Sequence, residues 1–240
     1  MTASDKNVGI CLLPSEWYKK EYENQVIKGG HELVNMNEKD CVSYLCNQIR
    51  DCSDDQILLL NTLWPKNIPL KHRIGVLKLL PKVHKLKGDI DKDSWKDLPS
   101  RPIRGAETDP MKEPSKVLYH LLTGMMSNLR CMYEGLPYSF PVLKGCDDYI
   151  KRLDLMKLSC KKWTKTVLIS ADFSDAYTET GIDRLQESVK LMGNFLGQPQ
   201  YKTDLMVKLV KLVFTNCYFF TPYGLYRQTR GMPMGDVSSR

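Results

Sequence analysis

The strand-like segments of this chain are separated from one another by long helical segments, and this order constrains the fold more than any other feature. Strand character is found in residues 8–13, 73–85, 101–105, 164–173 and 217–228. Between them, apolar residues at three- and four-residue spacing predict helices over residues 14–30, 38–52, 54–64, 113–130, 146–158, 182–197 and 203–216. The order predicts an α+β fold rather than a doubly wound sheet.

The composition is that of an ordinary globular protein of 240 residues. No apolar run approaches the roughly 18–20 residues of a membrane helix, and the first residues lack the layout of a secretory signal. We therefore expect an intracellular protein, nuclear or cytoplasmic, without a membrane partner. None of the eight cysteines forms a C-x-x-C pair, so we expect reduced thiols, several of them buried, rather than a zinc site.

Positive charge is concentrated in one stretch of the chain. Residues 66–101 hold ten Lys or Arg and four Asp, which is +6 of the net +7. Such a block suggests a polyanionic partner, and the alternative is a solvated surface loop. Two extended arms, "RIGVLKLLPKVHK" and "RPIRG", flank a polar crossover and predict a long basic hairpin. Pro81 and Pro102 restrict these arms to edge positions.

A carboxylate ends the apolar run 164–173, in the stretch "LISADFSDAYTET". Burying Asp172 is costly unless solvent, a cation or a metal ion compensates its charge. Hard oxygen ligands at the mouth of a cleft suit Mg²⁺, and two such ions can stabilise the attacking and leaving oxygens of phosphoryl transfer. The alternative is that Asp172 is a turn or cap residue, and we interpret Asp175 as an N-cap.

The hexapeptide "DFSDAY" resembles motif A of reverse transcriptases. In that family the aspartate binds the catalytic metals and the aromatic excludes a 2′-hydroxyl. The resemblance therefore makes Asp172 the catalytic ligand of Mg²⁺ (or Mn²⁺) and Tyr177 the gate for deoxynucleotides. Without the resemblance, Tyr177 would be interpreted as a half-buried core residue.

A second motif follows about fifty residues later. "GLYRQTRGMPMGDVSS" is similar to motif B, with Tyr226, Gln228, Gly231, Met234 and Gly235 at the matching positions. The glycines would let the backbone approach a nucleotide or a template base closely. The resemblance places Gln228 and Gly231 at the nucleotide and Gly235 at the nucleic acid.

The basic hairpin resembles the fingers of the same polymerases. "LPKVHK" and "RPI" match fingers motifs, which implies that Lys82 and Arg101 bind the triphosphate of the incoming nucleotide. Lys78, Lys85 and Lys87 are expected to attract the phosphates of a template backbone through a nonspecific positive electrostatic field. His84 is interpreted as a polar loop residue.

The ordered set of segments is similar to Penelope-like reverse transcriptases. It includes "SDKNVG", "LPKVHK", "RPI" followed by "PSKVLYHLL", and "YRQTRGMPMG". The resemblance implies a right-hand polymerase fold from a retrotransposon, acting on an RNA template, a DNA primer and dNTP. We expect helical fingers over 1–70, fingers with the basic hairpin over 71–165, and partial palm over 166–240.

Two features depart from the family pattern. Asp236 stands where a small serine is usual, and no aromatic-x-Asp-Asp follows motif B before Arg240. We expect these 240 residues alone to be inactive or nearly so, because a two-metal site needs the missing carboxylates. The alternatives are a non-catalytic nucleic-acid-binding remnant and a degenerate reading frame that makes no stable protein. The oligomeric state is not predicted.

Overall fold

A computed structural model of the chain describes residues 2–3, 10–27, 29–54, 72–86, 95–105, 107–134, 146–159 and 180–232. The chain divides into two compact units, one of residues 1–122 with 175–240 and one of residues 123–174. The described residues form helices and small antiparallel sheets, so the α+β prediction is confirmed at this level.

The first unit begins with a short strand pair and a helix. Strand β1 (Thr2–Ala3) pairs antiparallel with β2 (Ile10–Cys11), and helix α1 (Ser15–Tyr22) follows. Pro14 precedes α1, where its fixed φ suits a helix start and its carbonyl accepts from Trp17 N–H. The chain then forms one π-helical turn (Glu23–Ile27), which the sequence pattern did not predict, and reaches β3 (His31–Leu33) and helix α2 (Glu38–Asp54).

The predicted basic hairpin is present. Strand β4 (Leu77–Pro81) pairs antiparallel with β5 (Ser100–Arg104), and a 3₁₀ turn (Val83–Lys85) follows β4 directly. In this two-stranded sheet both strands are edges, which is where Pro81 and Pro102 are tolerated. We call the segment Leu77–Leu86 with Trp95–Arg104 the basic hairpin.

A second hairpin carries the predicted motif B. Strand β6 (Tyr218–Thr221) turns through Pro222 and Tyr223 into β7 (Gly224–Gln228), as expected. The other edge of β7 pairs with β3, so the three strands have the order β3-β7-β6. We call the segment 217–232 the motif-B hairpin.

The two hairpins are joined through backbone contacts at Gly75 and Val76. Val76 forms a parallel bridge with Phe220, and Phe220 N–H donates to the Gly75 carbonyl at 2.8 Å. On the other side, Gly105 N–H donates to the Val76 carbonyl at 3.0 Å. A Cβ at Gly75 would lie 1.8 Å from the Gly105 oxygen, so this approach requires glycine.

The remaining helices agree with the periodicity. They are α3 (Lys112–Glu134), α4 (Cys146–Ser159), α5 (Ile182–Phe195) and α6 (Gln200–Thr215). Helix α6 begins three residues before the predicted start because Pro199 supplies the boundary. None of the described helices is both long enough and apolar enough to cross a membrane.

An apolar core in the first unit underlies both hairpins. Trp17 is fully buried and clusters with Val26, Leu77, Leu79, Leu98 and Phe219. Burial of each such side chain contributes about 1.5–3 kcal/mol. The predicted buried thiols include Cys41 and Cys217, neither of which is in a disulfide, and burial raises the pKa of Cys41 to about 12. The predicted helix over 54–64 and strand over 164–173 lie outside the described residues.

Candidate functional site

The basic hairpin has one apolar face and one face that carries cations. Side chains alternate along a strand, so Leu77 and Leu79 enter the core while Lys78 and Leu80 point the other way. The register pairs Lys78 with Ile103 and Leu80 with Arg101. Directly paired residues share a face, so Lys78 and Arg101 lie together on the outer face.

Lys82 continues this outer face beyond the end of β4. Its N–H donates to the Pro99 carbonyl at 2.8 Å, which extends the ladder by one position. Alternation then assigns Lys82 to the side of Lys78 and Leu80. Lys85 and His84 are exposed in the 3₁₀ turn that follows. The structure thus places Lys78, Lys82 and Arg101 on one face.

Helix α1 holds the returning arm of the basic hairpin by polar contacts. Trp17 Nε1 donates to the Leu98 carbonyl at 2.8 Å. Lys20 Nζ donates to the Lys96 carbonyl at 2.7 Å and to Asp97 Oδ1 at 3.0 Å. These contacts fix the backbone that leads into Arg101.

A buried carboxylate provides the strongest of these anchors. Glu21 is 7% exposed, and its Oε2 accepts from Ser100 N–H at 3.0 Å and from Ser100 Oγ at 2.6 Å. Hydrogen bonds to a charged acceptor contribute about 1.5–3 kcal/mol. The sequence analysis missed Glu21. Its signal was a glutamate four residues after Trp17, on the apolar stripe of the helix.

The end of β5 has an ion pair of its own. Arg104 and Asp109 are both buried and paired, and Asp109 Oδ1 accepts from Met111 N–H at 2.8 Å. The pair therefore connects the end of β5 to the start of α3. Removing one member would leave an uncompensated buried charge, which makes the pair a structural element.

Gln228 is the last residue of β7, and both ends of its amide contact residues of the motif-B hairpin. Nε2 donates to the Arg230 carbonyl at 2.7 Å, and Oε1 lies 3.6 Å from Cys217 Sγ as acceptor. Gly231 follows with φ of 71°, in the left-handed region that favours glycine. The backbone conformation at position 231 thus favours glycine, and Gln228 helps to order the turn that contains it.

A polar cleft lies beside Gln228. It has a volume of about 180 Å³ and is lined by Ile182, Thr215, Arg227, Gln228 and Thr229. Arg227 also pairs with Glu32 at 2.6 Å, and this hydrogen bond raises the pKa of Arg227. Ile182 follows Asp172 by ten residues, so the cleft brings the chain just after predicted motif A next to motif B.

The cations of the basic hairpin and Gln228 lie on opposite sides of the bridge between Val76 and Phe220. Lys82 lies six residues beyond Val76 along β4. Gln228 pairs with Cys217, three residues before Phe220 on the parallel strand. At about 3.3 Å per residue these nine steps span up to about 30 Å. The distance between Lys82 and Gln228 is therefore at most about 30 Å.

Several predicted site residues have no described position. Asp172, Tyr177, Lys87 and Gly235 lie outside the described residues. Among the residues that are described, no group of three or more His, Cys, Asp or Glu side chains could hold a metal ion. Comparison of the chain with models of protein families, with curated proteins and with solved structures finds no match.

Proposed function

We propose that this chain carries the fingers and the first part of the palm of an RNA-directed DNA polymerase of the Penelope-like type, within a right-hand polymerase fold. The observation that carries the proposal is the register of the basic hairpin, which aligns Lys78 and Arg101 on its outer face, with Lys82 one residue beyond the end of β4. The cleft that joins Ile182 to Gln228 gives further support, because the palm motifs of a polymerase must converge on one site.

The cations on the outer face of the basic hairpin favour a ligand that carries phosphate groups. The outer face of the basic hairpin would contact the backbone, with Arg101 forking two N–H donors onto phosphate and Lys78 adding charge. Lys82 and Arg101 would also bind the triphosphate of dNTP.

The palm residues complete the proposed reaction. Asp172 would hold Mg²⁺ or Mn²⁺. The positive charge of the metal would stabilise the attacking and leaving oxygens when a primer 3′-hydroxyl attacks the α-phosphate in line. Tyr177 would exclude ribonucleotides, and Gln228 with Gly231 would shape the nucleotide pocket. The aromatic-x-Asp-Asp carboxylates of the family are not among these 240 residues.

The direct test is binding of an RNA template annealed to a DNA primer, followed by fluorescence anisotropy over a series of salt concentrations. We expect the triple variant Lys78→Ala, Lys82→Ala, Arg101→Ala to lower the slope of log affinity against log salt by about 2 to 3, because each lost phosphate contact accounts for about 0.9. Lys190→Ala with Arg184→Ala is the matched control, since both side chains are exposed on α5. An unchanged slope in the triple variant contradicts the proposal.

A second candidate function is a nucleic-acid-binding remnant without catalysis. The observation that favours it is the Gln228 amide, whose Nε2 donates to the Arg230 carbonyl and whose Oε1 accepts from Cys217 Sγ. Ultraviolet crosslinking of a labelled dNTP in Mg²⁺ separates the two functions. The polymerase proposal predicts crosslinking that falls in Asp172→Ala, whereas the remnant predicts template binding without it.

A further inference from the structure

A tyrosine-lined cleft lies on the first unit, and its described lining residues include none of the cations of the basic hairpin. It has a volume of about 240 Å³ and is lined by Tyr22, Glu23, Val26, Ile27, Tyr223 and Tyr226. We call it the tyrosine cleft. Its residues come from α1, the π-helical turn and the motif-B hairpin, and nothing in the proposed polymerase function uses them together.

The π-helical turn shapes one wall of the cleft. The wider π-helical turn, with hydrogen bonds from residue i to i+5, follows Tyr22 directly, and Tyr22 and Ile27 both line the cleft. In an α-helix residues five apart would diverge around the axis. Ile27 is 66% exposed although it is a large apolar residue, which is consistent with a surface that a ligand covers. Such turns occur frequently at functional sites.

The tyrosine rings are held in place by contacts with one another and with residues beside the cleft. Tyr22 donates its hydroxyl to the Leu77 carbonyl at 2.9 Å, so its polar end is already satisfied. Its ring meets that of Tyr223 edge to face, with centroids 6.2 Å apart and planes at 79°. Tyr226 stacks on Phe219 at 6.3 Å. The cleft is therefore walled by preformed aromatic surface.

The charge of the lining selects the class of ligand. Glu23 is exposed, and among the lining residues that the structure describes no Lys or Arg is present. Aromatic faces carry negative potential, so they attract a cation and repel a phosphate. The cleft is thus complementary to positive charge, although the chain as a whole has a net charge of +7.

The described lining of the tyrosine cleft offers few hydrogen-bond acceptors, which narrows the class of cationic ligand further. An ordinary lysine ammonium has three donors and is strongly hydrated, and Glu23 is the charged acceptor in the lining. An alkylated ammonium needs fewer acceptors and can place its methyl groups against Val26 and Ile27. We propose that the tyrosine cleft binds a quaternary ammonium group, of the kind presented by a trimethylated lysine on a partner polypeptide. This inference does not rest on the polymerase proposal.

The test is calorimetric titration of the 240-residue chain with three short peptides that have uncharged flanks. One carries trimethyllysine, one unmodified lysine and one the neutral tert-butyl isostere. We expect the trimethyllysine peptide to bind most tightly, with the neutral isostere weaker by a factor between about 2 and 30, the range of a cation–π contact. Equal affinity for the neutral isostere, or no binding of any peptide, overturns the proposal.

Variants locate the site. Tyr223→Ala is expected to weaken binding by a factor between about 2 and 30, while Tyr223→Phe keeps the ring and the affinity. Tyr201→Ala is the matched control, because Tyr201 is similarly exposed on α6. Glu23→Gln tests the charge with little effect on folding and is expected to weaken binding up to about fivefold. If these changes instead abolish binding of a single-stranded oligonucleotide and leave peptide binding unaltered, the cleft stacks a base and the proposal is wrong.

Discussion

The basic hairpin and the motif-B hairpin are built alike but use their polar groups differently. Each is antiparallel, and each contributes to the core around Trp17. In the basic hairpin the anchors come from another element, helix α1, and the cations of the outer face point away from the core. In the motif-B hairpin the Gln228 amide is engaged by its own loop. Side chains of α1 thus anchor the returning arm of the basic hairpin, whereas a side chain of the motif-B hairpin itself helps to order the turn after β7.

The largest effect should come from removing the external anchor. Glu21→Ala leaves the N–H and the hydroxyl of Ser100 buried without their acceptor, and we expect the free energy of unfolding to fall by about 2–4 kcal/mol. Urea denaturation followed by circular dichroism measures the change. Glu187→Ala, an exposed glutamate on α5, is the control and should stay within about 0.5 kcal/mol. Equal losses in both variants would show that Glu21 anchors nothing.

A smaller loss of stability is expected from changes in the turn after β7, which contains Gly231. Gly231→Ala places a Cβ at φ of 71°, which costs about 1–2 kcal/mol, and Gly231→Asn should cost less because asparagine tolerates this region. The same urea series measures both variants. Gly105→Ala is the control, since the nearest atom to its Cβ would be 3.6 Å away. A loss in Gly105→Ala as large as in Gly231→Ala would contradict this account.

The smallest expected change in stability depends on pH and comes from His31, which lies on β3 and pairs with Gln228 of the motif-B hairpin. Burial lowers the pKa of His31, against a weaker opposing effect of its hydrogen bond to the Val26 carbonyl. The unfolded chain therefore binds the proton more readily below about pH 6.5, and stability is lost as the pH falls through that range. The slope is at most about 1.4 kcal/mol per pH unit. Urea midpoints at pH 7.5, 6.5 and 5.5 should shift less in His31→Gln, and an identical shift would exclude His31 as the cause.

The sequence predicted the elements whose residues follow a simple period. The basic hairpin was predicted because two β-prone arms flank a polar crossover, and the helices because their apolar residues recur every three to four positions. Strand β3 was missed because three residues, "HEL", are too few to show alternation. The π-helical turn was missed because the residues of Glu23–Ile27 suit an α-helix equally well, and the different repeat is set by tertiary packing.

The candidate site could be predicted in part. The cations of the basic hairpin were identified, and the register shows that Lys78 and Arg101 share a face. What the sequence could not show is the separation between Lys82 and Gln228, because that distance depends on how one hairpin joins the other. Glu21 was missed for a similar reason, since its partner Ser100 lies 79 residues away.

The contact between Gly75 and Gly105 has a consequence for how this chain can vary. Both glycines border one backbone contact, yet a side chain at 75 would overlap the Gly105 oxygen, while a Cβ at 105 makes ordinary contact. Any substitution of Gly75 would thus disturb the fold, and selection for a folded protein would act against it. The same change at position 105 would leave the backbone contact intact. The two glycines of this junction therefore differ in the substitutions that the fold tolerates.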